Sequence, residues 1–122
     1  MKAIKSLITA LIVISSVMIC STKLIAQKTN TEELKVKTSA VCGMCKETLE
    51  KNLAFEKGIR KSNLDVDSKV ITVTYNPEKI TPEKIRLVIS KIGYDADDIP
   101  ADKKAHSKLD DCCKKGAVCN DK

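Results

Sequence analysis

Six patterns in the order strand, helix, strand, strand, helix, strand predict an α+β fold, an antiparallel sheet with two helices on one face. Three observations carry this prediction. Apolar residues between positions 33 and 99 switch from a period of two to a period near 3.6 and back again. Start and stop signals bracket the second helical stretch. A Cys-x-x-Cys, Cys42-Gly43-Met44-Cys45, stands where the first strand pattern gives way to the first helix.

The first strand is read over Glu33–Ala40, where Leu34, Val36 and Thr38 alternate with Lys35 and Lys37. After the cysteine loop, Cys45, Leu49 and Leu53 recur at i, i+4, i+8 and form one helical stripe, running to about Glu56. Gly58 follows, as glycine commonly does past a helix C-terminus. Leu64 and Val66 alternate with Asn63, Asp65 and Asp67, a second strand with one face in water, and Asp67-Ser68-Lys69 is turn chemistry. Val70–Tyr75 is β-branched or aromatic at every position, the strongest strand signal, and Asn76-Pro77 stops it. For the second helix Thr81 is the N-cap, Pro82 the first helical residue, and Glu83 suits the first turn. Its core stripe is Ile85, Val88, Ile89 and Ile92, and Gly93 closes it. Tyr94–Ile99, short and acidic, is the expected last edge strand before Pro100. This order of elements is the ferredoxin-like, or split βαβ, arrangement.

The chain has 122 residues and a formal charge of +6. Its head, Met1-Lys2-Ala3-Ile4-Lys5, is basic, and Leu7 to Cys20 is an almost unbroken apolar run too short for a comfortable membrane span. Residues 1–26 are therefore read as a secretory signal peptide cleaved after Ala26, and 27–31 as a linker. An uncleaved anchor and a lipoprotein attached through Cys20 are the alternatives. Cleavage removes Lys2, Lys5 and Lys23 and no acids, so the charge falls from +6 to +3. With Phe55, Tyr75 and Tyr94 as the only aromatic residues and no basic stripe, nucleic-acid binding has little support. Five of the six cysteines survive cleavage, an odd number for an exported chain, so at least one thiol is free, modified or bound to something.

A Cys-x-x-Cys at a helix N-terminus places its thiols against unpaired N–H groups and the positive end of the helix dipole, which favours thiolate. Thiolate is the form that binds metal or exchanges disulfides. It is a soft ligand that selects ions such as Cu(I) and serves Mg²⁺ and Ca²⁺ poorly. A structural zinc site normally takes four ligands, and this loop offers two. Two thiolates suit near-linear coordination and leave an exposed ion open to an incoming thiolate. A Cys42–Cys45 disulfide, or a thioredoxin-like thiol–disulfide oxidoreductase using the same pair, is the alternative in an oxidising compartment. The chain is short for the thioredoxin fold, and two consecutive β-rich segments follow its first helix. No serine, histidine or carboxylate constellation supports hydrolysis, and the single histidine makes acid–base catalysis a poor fit. The chain is read as a non-enzyme without a small-molecule substrate.

Residues 33–98 resemble the heavy-metal-associated domain. That family includes copper chaperones, the metal-binding modules of copper-transporting ATPases and periplasmic mercury-binding proteins. Cys42 and Cys45 stand at its two ligand positions, Leu49 and Leu53 at core positions of its first helix, and Gly58-Ile59 where the family has Gly-Val. Val73-x-Tyr75-x-Pro77 resembles the end of its third strand, and Gly93-Tyr94 the loop beside the metal. One departure stands out. Ala40 occupies the place of a methionine that normally holds the loop from beneath, while Met44 lies inside the motif. The resemblance implies that Cys42 and Cys45 bind Cu(I) or Hg(II), with Tyr94 beside them. It also implies a carrier or scavenger, monomeric and periplasmic, that serves a membrane metal transporter.

The domain is read over 32–99 and a flexible cysteine-rich tail over 100–122, in which periodicity disappears and no apolar face remains to be buried. Cys112, Cys113, Cys119 and His106 are its candidate accessory ligands, by composition alone. A disulfide from Cys119 to Cys112 or Cys113 is the other reading. His106 taken singly is an ordinary exposed residue.

Overall fold

A computed structural model describes residues 30–114. The expected signal peptide, most of the linker, and Cys119 lie outside the described residues. The elements are β1 (Glu32–Lys37), α1 (Gly43–Ala54), β2 (Ile59–Asp65), β3 (Val70–Tyr75), α2 (Pro82–Ile92), α3 (Lys103–Ser107) and a 3-10 turn (Asp111–Cys113). Among the described residues, no helix is long and apolar enough to cross a membrane.

The sheet has the order β1-β3-β2, antiparallel throughout, with the β-branched strand in the centre. Period-two alternation puts Ile71, Val73 and Tyr75 of β3 on one face, with Ile71 paired across the strands with Val36 and Leu64, Val73 with Leu34, and Tyr75 with Ile59. Both helices cover that face, α1 with Cys45, Leu49 and Leu53 and α2 with Ile85 and Ile89. Val88 and Ile92 pack at the margin of the core. Glu33, Lys61, Asn63, Thr72 and Thr74 line the opposite, polar face. This is the expected α+β, ferredoxin-like architecture.

The expected start of α2 is found residue for residue. Thr81 Oγ1 accepts from the Lys84 N–H at 3.3 Å, Pro82 opens the helix, and Gly93 closes it at φ 120°. α1 is tied to β2 by one cluster. Lys46 Nζ donates to Glu50 Oε1 (2.7 Å), Asn63 Oδ1 (2.8 Å) and the Leu64 carbonyl (2.7 Å), while Glu50 Oε1 accepts from the Leu64 N–H at 2.8 Å.

Four expectations need correction. β2 begins at Ile59 and ends at Asp65, because Asp65 Oδ1 accepts from the Asp67 N–H at 3.0 Å and turns the chain before Val66 can extend it. α1 stops at Ala54 and Gly58 lies four residues further on, at φ 97° and so close to Ile80 that a Cβ would meet its side chain at 2.8 Å. β1 ends at Lys37, and the last edge strand is reduced to isolated bridges, Thr38–Ala96 and Ala96–Ile99. The cause is Asp97, which sits at φ 50° and turns the chain, with its Oδ1 accepting from the Lys37 N–H at 2.9 Å.

The fourth correction concerns the segment after Ala101, which does bury an apolar face. Asp102 Oδ1 caps α3 by accepting from the Ala105 N–H at 2.8 Å. The helix docks on the end of α2, where the Asp102 N–H donates to the Ser90 carbonyl (2.9 Å) and Ser90 Oγ donates to the Pro100 carbonyl (2.7 Å). Glycine is required at 93, since a Cβ there would meet the His106 backbone N at 3.0 Å. Leu109 and Cys112 then pack against the core, and Cys113 joins it.

Candidate metal centre

The site grows from the loop between β1 and α1. Thr38 holds its near end, with backbone N and Oγ1 both donating to the Lys69 carbonyl at 2.8 and 3.0 Å. Ser39 Oγ accepts from the Asp95 N–H at 3.0 Å and pins the loop to the segment after α2. Ala40, at the position where a methionine was the family expectation, is fully buried, and its N–H donates to Thr38 Oγ1 at 3.3 Å. Two hydroxyl clamps at its β1 end, Thr38 and Ser39, thus hold a loop that lacks a large side chain beneath it.

Cys42 is the N-cap of α1 in extended conformation, and its sulfur makes no capping hydrogen bond. One turn on, Cys45 Sγ lies 3.2 Å from Cys42 Sγ. Both sulfurs lie at the N-terminus of α1, where the helix dipole favours negative charge. The expectation of an exposed pair does not hold, since Cys42 is 4% and Cys45 0% exposed and both belong to the core cluster. The returning carboxy-terminal segment is one reason for this.

That segment brings two more sulfurs to the loop. Cys112 Sγ and Cys113 Sγ each lie 3.9 Å from Cys42 Sγ and 3.9 Å from one another. Cys42, Cys112 and Cys113 form a group able to hold a metal ion. Burial pushes the Cys113 thiol well above its ordinary pKa, with the neighbouring Cys45 adding to the shift. Met44, half exposed, was not singled out as a ligand in the sequence, yet its Sδ accepts from Cys112 Sγ at 3.5 Å. A thioether inside the motif was the signal for it. His106 is not in the sulfur group, and its Nδ1 lies 2.9 Å from the Gly93 carbonyl.

Tyr94 is fully buried beside the thiols of Cys113 and Cys45, as its place after α2 leads one to expect. Burial first, and those sulfurs second, raise its pKa far above the ordinary tyrosine value. Among buried side-chain oxygens and nitrogens of the described residues, its hydroxyl alone lacks a hydrogen-bond partner. A buried unpartnered hydroxyl costs ~1–3 kcal/mol, so its retention beside two thiols calls for an explanation.

Comparison with known proteins matches residues 36–95 to the model of the heavy-metal-associated domain family. No curated protein sequence matches the chain. Among solved structures, the chain is similar to the CopZ metallochaperone (21% identity, TM-score 0.51, covering 53% of this chain and 98% of that one). It is also similar to oxidized MerP from Ralstonia metallidurans CH34 (19% identity, TM-score 0.52, covering 54% and 93%). A third likeness is to the water-soluble region of the P-type ATPase CopA from Bacillus subtilis (25% identity, TM-score 0.52, covering 56% and 46%). The first two likenesses speak for the fold, and the family match for what the fold carries: residues 36–95 of this chain are a heavy-metal-associated domain.

Proposed function

We propose that the chain captures and carries a soft heavy-metal ion, Cu(I) or Hg(II), through Cys42 and Cys45, as an exported protein that exchanges the ion with a membrane metal transporter. The observation that carries this reading is the convergence of the two thiols, 3.2 Å apart, at the first turn of α1 within a heavy-metal-associated domain. Thiolates select soft ions, and the ion is cargo, passed between proteins by ligand exchange. The structural neighbours, the CopZ metallochaperone and a copper binding domain from a P-type ATPase among them, support the same role. The oxidoreductase alternative finds less support, since the family matched over residues 36–95 is that of the heavy-metal-associated domain. Competition of the reduced full chain against a chromogenic Cu(I) chelator tests the reading. Wild type is expected to hold Cu(I), and a Cys42→Ser/Cys45→Ser variant that competes equally well overturns it.

A further inference from the structure

The cysteine pair of the loop is not the only sulfur arrangement at this site, nor the one best spaced for an ion. Cys42, Cys112 and Cys113 mark an equilateral triangle with sulfur–sulfur edges of 3.9 Å. The centre of such a triangle (edge divided by √3) lies about 2.3 Å from each corner, the length of a zinc–thiolate bond and the scale expected for a soft-metal thiolate. By contrast, Cys42 and Cys45 are 3.2 Å apart. An ion about 2.3 Å from both would be held at roughly a right angle, far from the linear geometry that two thiolates alone prefer.

We propose that Cys42, Cys112 and Cys113 form a three-thiolate site for a soft d10 ion, so that the carboxy-terminal segment is a latch closing over the Cys-x-x-Cys pair. The proposal rests on the reading of the domain as a soft-metal carrier and adds which sulfurs hold the ion and what governs its release. Cys42 is the shared corner, 3.2 Å from Cys45 on one side and 3.9 Å from both tail thiols on the other. An ion passes between the two sets by exchange of one thiolate at a time, and each thiol that binds gives its proton to solvent.

The latch is built by the protein. Asp102 caps α3, His106 and Asp102 tie it to the end of α2, and Leu109 packs on the core, which carries Cys113 into the interior at 2% exposure. Cys112 stays partly exposed beside the Met44 thioether, 3.5 Å away, and forms the outer corner. The triangle gathers negative charge when loaded, and the N-terminus of α1, where Cys42 is the cap, offsets part of it. The unpartnered Tyr94 hydroxyl, wholly buried beside Cys113, supplies a donor that becomes satisfied when its neighbouring thiol turns into thiolate.

The test uses the reduced full chain in a Cys20→Ser/Cys119→Ser background, so that only the four described thiols are counted. X-ray absorption of the Cu(I)-loaded protein reads the number and distance of sulfur neighbours, and competition with a chromogenic chelator reads retention. Three sulfurs at about 2.3 Å are expected. Cys112→Ser/Cys113→Ser should leave two sulfurs and retain Cu(I) roughly 100-fold less well, the low end of what a tethered extra ligand adds. Cys112→Ser alone, at the partly exposed corner, keeps the fold and should also weaken retention. Two sulfurs in the wild type, or unchanged retention in Cys112→Ser, overturns the latch. If Cys42→Ser/Cys45→Ser abolishes binding while the tail variants behave as wild type, the latch alone fails and the carrier reading stands. If the wild type takes up no Cu(I), both fail.

Discussion

Replacing Tyr94 by phenylalanine should move stability and metal affinity in opposite directions. The hydroxyl is fully buried and has no hydrogen-bond partner. In the metal-free protein its desolvation is therefore uncompensated, a cost of ~1–3 kcal/mol that the phenyl ring does not carry. A Tyr94→Phe chain without metal should melt higher, by ~4–8 °C for each kcal/mol in a domain of this size. In the loaded protein the same hydroxyl donates to a thiolate, and hydrogen bonds to charged groups contribute ~1.5–3 kcal/mol. Its loss should weaken Cu(I) retention by roughly 10- to 100-fold, at about 1.4 kcal/mol per factor of ten. The assay is a pair of thermal melts on reduced protein, with and without Cu(I), beside chelator competition. A metal-free variant that melts at or below wild type, with unchanged competition, refutes the assignment of the hydroxyl to the thiolates.

Gly93→Ala should destabilise the chain by at least ~1 kcal/mol, since alanine resists positive φ and its Cβ would strike the docked tail. The same substitution should lift the latch, so alkylation of Cys113 by a thiol reagent, followed by mass spectrometry, should become much faster than in wild type. Asp97 gives a pH test. Burial works against its charge, but the Arg86 guanidinium at 2.8 Å and the Lys37 N–H hold its carboxyl below the ordinary range. Its contribution is thus full above the unfolded value of ~3.9 and is lost as pH falls through the lower folded value. Asp97→Asn should cost ~0.5–1 kcal/mol near neutral pH, measured by urea unfolding, and the difference from wild type should vanish in strong acid.

The strands, the helices and the motif were legible because their signals are local. Val70–Tyr75 alternates through one buried face, Thr81-Pro82 and Gly93 bracket α2 by their own backbone preferences, and Cys45, Leu49 and Leu53 fall on one side of α1. Tyr94 was placed beside the thiols by its position after α2. Misplaced boundaries share a cause. Asp65 and Asp97 turn the chain through side-chain bonds or a positive φ that periodicity does not encode.

What the sequence by itself determined is the order of β1, α1, β2, β3 and α2, the sheet with helices on one face, and a pair of cysteines at a helix N-terminus. Each follows from residues within one or two turns of one another. Only the tertiary structure decided that the segment after Ala101 folds back, that Cys42 and Cys45 are buried, and that Cys112 and Cys113 stand 3.9 Å from a sulfur some seventy residues earlier. The tail has no amphipathic period to announce this. It is held by isolated contacts, a cap at Asp102, a close approach over Gly93, and the burial of Leu109 and Cys113. Contacts so distant along the chain leave no local pattern, because their partners become neighbours only once the sheet and helices have brought the loop and the end of α2 together.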